Sequence, residues 1–226
     1  MKKKLDAYRG RLDASQVATG INAAIENAKR LADDASLLLE VGRFPTAASL
    51  SILSIEESGK VSILRALSVA IDEKEVLYAW KDYRSHVMKN VAWILPQLVV
   101  QGARKLDDLK PIFSKDSEHP YLLDQVKQLG FYTDCLGKAH WSLPNEVIDD
   151  KLARTLVQTA KLLAKGKQIS KKEIELWMKH IGPVWKKDPA WMKQALINWY
   201  AEMQQQGLAT EGNNKMQQFI RDGIQE

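Results

Sequence analysis

The segment "SIEESGKVSIL", residues 54–64, has the apolar spacing of a packing helix, yet it carries Glu56, Glu57 and Lys60. Around it, Leu50, Leu53, Val61, Leu64, Leu67 and Ile71 recur on one helical face. Glu57 falls inside that stripe and Glu56 lies beside it, between Ile52 and Ile63. Lys60 follows Glu56 by four residues, the favourable order for an intrahelical pair. An unpaired buried carboxylate is expensive, so this helix needs either charged partners from a neighbour or a solvated pocket.

The helix that follows has the same anomaly. Leu77, Trp80, Val87, Val91, Ile94 and Leu98 form its stripe, and Arg84 falls within it. The spacing therefore makes Glu57 and Arg84 expected partners across a helix–helix contact. On one straight helix His86 stands about 200° from Arg84. It shares a face with Asp82, Tyr83, Lys89, Asn90 and Trp93, so His86 and Lys89 are placed to serve one anion. A purely structural ion-pair network that fixes helix register is the alternative reading of the same charges.

The rest of the chain extends this pattern. A first helix is expected over Ser15–Glu40. "GRFPT" turns the chain, with Pro45 suited to the first turn of the second helix, which runs to about Ile71. Asp72 caps a third, expected to continue to Gln101 with a kink or end at Pro96. Shorter helices follow at about 121–129, 145–165 and 189–206, and Ser170 with Glu173 forms a capping box for another. No stretch alternates long enough to predict a strand. The expected fold is all-α: an antiparallel helical bundle over residues 1–145, with a Trp-rich helical extension over 146–226 packed on it.

A chain of 226 residues with 45% hydrophobic and 27% charged content is ordinary for a globular protein with a sizeable core. No apolar run approaches the roughly 18 residues of a membrane span, and no signal peptide is evident, so a cytoplasmic protein without membrane contact is expected. The single cysteine, Cys135, excludes an internal disulfide. The total charge is +5, but residues 151–200 carry eleven Lys/Arg against three acids, a net +8 that leaves −3 for the remainder. Within this block Lys161, Lys165, Lys167, Lys171, Lys172, Lys186 and Lys187 are candidate nucleic-acid contacts. Trp177, Trp185, Trp191 and Trp199 lie among them, where they serve either as stacking platforms or as core.

"NAKRLADDASLLLEVGRFPTAASLSILSIEESGK", then "YRSHVMK" and "GFYTDCLGKAHWSLP", together resemble the AbiV abortive-infection family of the HEPN superfamily. The likeness is clearest over about residues 22–90, with a second block near 130–145. It implies a HEPN helical bundle, a homodimer, a role in arresting phage multiplication, and a phage-encoded protein as trigger or partner. Many HEPN proteins are metal-independent endoribonucleases whose motif is an arginine, four to six residues, then a histidine. Here one residue separates Arg84 from His86, and no other arginine stands at the usual distance.

Metal-free RNA cleavage needs a group to accept the 2′-hydroxyl proton, one to protonate the leaving oxygen, and a cation for the phosphorane charge. His86 has the side chain for proton transfer. Lys89 or Arg84 would stabilise phosphate, and Glu56, Glu57 and Lys60 complete the candidate catalytic set. No metal or cofactor is expected. The paired Glu-x-x-His motifs of di-iron bundles are missing, Cys135 and His140 are too few for a metal site, and no phosphate-binding glycine loop occurs. The rival function is a non-catalytic module that binds RNA or protein, its charges holding the bundle together.

Overall fold

A computed structural model describes residues 6–114 and 117–224. Helix α1 spans Ala14–Glu40, with Asp13 and Gln16 forming a capping box at its start. Gly42, at φ 72°, turns the chain in a left-handed conformation that costs glycine little. Helix α2, Phe44–Ser68, has Pro45 in its first turn. The two pack along their length as a hairpin.

Helix α3 covers only Glu73–Arg84, capped by Asp72. The continuous helix expected to Gln101 breaks at Ser85, eleven residues before Pro96. Ser85 is extended (ψ 126°), and its side chain accepts from Met88 N to start a one-turn helix, α4, His86–Lys89. A serine hydroxyl competes well for the free N–H groups of a helix start, and periodicity alone does not reveal that competition. A 3-10 turn over Val91–Ile94 follows. Helix α5, Leu95–Val100, then begins with Pro96 in its first turn, where no N–H is missed. In α3, Val76 and Trp80 are buried but Leu77 is exposed, so the expected stripe is shifted.

Helix α6, His119–Phe131, leads to a two-stranded hairpin, β1 Asp134–Leu136 and β2 His140–Ser142, paired Cys135 to Trp141. No strand is predicted there because three residues are too few to establish alternation. A short α7, Pro144–Val147, precedes α8, Asp150–Leu163, capped by Asp149. Then come α9, Lys171–Ile181, with the expected Ser170–Glu173 capping box, α10, Pro189–Gln205, and α11, Lys215–Arg221. Among the described residues the fold is all-α apart from that hairpin, and no helix is long and apolar enough to cross a membrane.

Two apolar clusters form the centre. One joins α1, α2, α3 and α9 through Val17, Ile21, Leu64, Val76, Trp80 and Ile174. The other joins α1, α2, α6 and α8 through Ala28, Ile52, Ile55, Leu123, Leu156 and Ala160. The bundle core therefore draws on α8, beyond the expected boundary at residue 145. Helix α2 is central to both clusters and is lined with small residues: Ala47, Ala48, Ser49, Ser51 and Ser54 are all fully buried. Gly130 of α6 lies so close to Ser49 that an added Cβ would collide with its hydroxyl. Gly59 of α2 lies against the carbonyl of Lys89 in the same way. Both close approaches bring neighbouring segments onto the face of α2 that carries Glu56.

Gly59→Ala should therefore destabilise the protein. Helix propensity favours alanine by about 1 kcal/mol, but a methyl group here meets backbone, and overpacking of that kind costs about 1–3 kcal/mol or more. Gly182, with nothing near its added Cβ, is the control. Urea unfolding should show a loss for Gly59→Ala and none for Gly182→Ala.

Candidate functional site

The central group is the Glu56 carboxylate, only 2% exposed. It stands two residues beyond Ser54, whose hydroxyl donates to Ala28 O at 2.7 Å and pins α2 to α1. One carboxylate oxygen, Oε2, meets His86 Nδ1 at 2.6 Å and Lys89 Nζ at 3.2 Å. The other, Oε1, accepts from Lys127 Nζ at 2.6 Å. Lys127 Nζ also lies 2.7 Å from Asp124 Oδ1. Three elements thus converge: α2 supplies the carboxylate, α4 supplies His86 and Lys89, and α6 supplies Lys127 and Asp124.

Lys89 and Lys127 are buried, at 6% and 4% exposure. Two ammonium groups balance two carboxylates, which is what allows the charges to be buried at all. The His86 side chain behaves differently, being 54% exposed. Its Nδ1 is taken by Glu56, and its Nε2 has no protein partner among the described residues. The carboxylate fixes the ring from behind and leaves the second nitrogen available. Next to this cluster Asn90 is fully buried, and neither polar atom of its amide has a partner among the described residues.

Glu56, His86 and Asp124 bring their ligand-type atoms within 4.8 Å of one another. The space between the two carboxylates, however, is held by the Lys127 ammonium. Lys89 adds a second positive charge, so a divalent cation would enter against two ammonium groups. The donor set suits an ion-pair cluster better than a metal centre.

The other expected site residues lie elsewhere. Arg84 does not pair with Glu57: it donates to Tyr8 O at 2.6 Å and Trp80 O at 3.0 Å and lies over the Trp80 ring. The helix break at Ser85 separates Arg84 from His86 and leaves the guanidinium to tie down the N-terminal segment. Glu57 pairs instead with Lys60 at 2.6 Å, and the Lys60 ammonium sits 5.0 Å from the Tyr83 ring centroid. The i,i+3 partner wins over the expected i,i+4 partner because Glu56 turns inward, towards Lys127. Glu57, with its side chain 17% exposed, is the less buried of the two acids.

Sequence reasoning missed Lys127 and Asp124. Their signal was present: Leu123, Lys127 and Gly130 occupy one buried stripe of α6, so a lysine stands where an apolar residue belongs. Of the seven basic-block candidates, Lys167 pairs with buried Glu173 and donates to Leu208 O, and Lys186 pairs with Glu75. Lys171 makes a longer pair with Glu175. Lys161, Lys165, Lys172 and Lys187 are exposed and have no ion pair among the described residues.

The family model for AbiV, within the HEPN superfamily, matches residues 16–165. The chain belongs to the AbiV family. The match runs from the first turn of α1 to just past the end of α8, and so covers the whole Glu56 cluster, the second apolar cluster entirely, and the first apart from its edges at Ala14, Ile169 and Ile174. Membership of AbiV points to a role in abortive infection, a form of phage defence. No curated protein and no solved structure matches the chain.

In this AbiV protein Glu56→Ala should cost on the order of 3–5 kcal/mol, because it strands buried ammonium groups. Glu57→Ala removes one partly exposed i,i+3 pair and should cost about 1 kcal/mol or less. Equal melting shifts for the two variants would contradict the burial of Glu56.

Proposed function

We propose that this protein is an abortive-infection effector that acts on RNA through Glu56 and His86. The observation that carries the proposal is the hydrogen bond from an exposed imidazole to a buried carboxylate, with Nε2 unpartnered among the described residues. Glu56 orients the ring by accepting from Nδ1, as a carboxylate orients a histidine base in other hydrolytic sites. Nε2 then takes the proton of a ribose 2′-hydroxyl. The 2′-oxygen attacks phosphorus, the bond to the 5′-oxygen breaks, and the leaving oxygen receives a proton. A second copy of the chain, in a homodimer, supplies the second histidine for that protonation. The products are a 2′,3′-cyclic phosphate and a 5′-hydroxyl end.

The test is incubation of purified protein with total cellular RNA, with and without chelator. Cleavage should persist with chelator, leave 2′,3′-cyclic phosphate ends, and disappear in His86→Ala. A second reading, a binding protein without catalysis, is favoured by the burial of Lys89 and Lys127, which leaves neither ammonium open to a phosphate. The two readings separate in cells. Phage protection lost in His86→Ala at unchanged melting temperature supports the site, whereas protection that survives in the well-expressed variant removes it.

RNA affinity in either reading draws on the free lysines of the basic block. Binding should weaken steeply with salt through counterion release. Replacing Lys161, Lys165, Lys172 and Lys187 together by glutamine should flatten that dependence. Salt-insensitive binding would rule out phosphate contacts there.

A further inference from the structure

Arg65 stands at the seam between the bundle and the C-terminal helices. Its guanidinium lies against two indoles, 5.3 Å from the Trp177 ring centroid and 5.7 Å from that of Trp199. Those rings pack edge to face at 5.4 Å. Its Nε–H is buried without an acceptor, and the guanidinium donates no hydrogen bond to any described residue. Arginine has five N–H donors, and the one on Nε is buried and dry, which is costly. Burial holds the group below its ordinary pKa, and the nearby Glu173 carboxylate pulls it partway back.

Glu173 is itself occupied. One oxygen pairs with Lys167 at 2.9 Å and the other accepts from Ser170 N at 2.6 Å. Two cations therefore share one acid, and the local charge is +1. Three cavities meet at Arg65. One of about 420 Å³ is bounded by Ser58, Trp177 and Trp185. Another of about 360 Å³ is bounded by Lys167, Glu173 and Tyr200. The third, about 310 Å³, lies between Ser58, Gly166 and Lys167. An unpaired guanidinium, a net positive charge and adjoining space are the complement of an anion. The planar fork suits two phosphate oxygens at once, and the indole walls suit an apolar or planar body attached to them.

We propose that Arg65, backed by Lys167, anchors a binding site for a small phosphate-bearing ligand between the bundle and the C-terminal helices. The site is separate from the Glu56 cluster and does not depend on RNA cleavage.

The full-length protein is titrated calorimetrically with inorganic phosphate, AMP and adenosine, and its melting is followed with each. Phosphate and AMP should bind and raise the melting temperature, and adenosine should do neither. AMP binding more tightly than phosphate identifies a phosphate monoester as the occupant, and equal affinity identifies the free anion. Arg65→Lys, which keeps the charge but not the fork, should weaken binding at least tenfold. Arg65→Met, which keeps the bulk against the indoles, should abolish it. The proposal is overturned if neither phosphate nor AMP binds at millimolar concentration. It is equally overturned if binding survives undiminished in Arg65→Lys, the variant to use should Arg65→Met fail to fold.

Discussion

A carboxylate out of water must be answered by positive charge, and the Glu56 carboxylate receives that answer from two directions. Lys89 and His86 come from α4, and Lys127 from α6. None of these elements holds the cluster alone. Helix α4 is a single turn, too short to be stable by itself. Its place is set by what it touches, and its principal polar contact is Glu56. The cluster thus fixes the positions of α4 and α6 on α2 as much as those helices bury the cluster. The same arrangement leaves one member, His86, with a face to solvent.

Close approach makes this possible. Lysine side chains reach a carboxylate on another helix more readily when the backbones are near, and the small residues of α2 allow that. Alanine and serine line its buried face, while Gly59 and Gly130 remove the side chains that would hold α4 and α6 away. The serines are satisfied locally. Ser51 and Ser58 donate to carbonyls one turn back, and Ser54 bridges to α1. The stripe stays small without leaving hydroxyl groups unpaired.

Much of this was legible in the sequence. Helical periodicity located α1, and Pro45, Asp72 and Ser170 as start signals located α2, α3 and α9. The charges of "EESGK" marked α2 as unusual. The assignment of those charges was less legible, because Glu56 and Glu57 differ by only 100° round the helix. A neighbour displaced slightly decides which one turns inward. Spacing puts Glu57 in the stripe, but the apolar surface rotates towards Ile52 and Ile55, and Glu56 goes with it. Arg84 departs from its expected place for a related reason. Its expected direction assumed a straight helix, and the Ser85 break sends His86 one way and Arg84 another. The α6 stripe marks Lys127 as out of place among buried residues, but its partner is set by tertiary contact, since nothing local says which helix meets α6.

The order in which the chain is made gives the Glu56–Lys127 pair a further meaning. The partners are 71 residues apart, an interval of about 4–14 s at ordinary rates of synthesis. Until α6 has left the ribosome, α4 cannot settle fully over Glu56 without burying a carboxylate that lacks Lys127. The docking of α4 on α2 is thus held short of its final packing by one missing charge. The surface that orients His86 comes into being only after more than half of the polypeptide has been made.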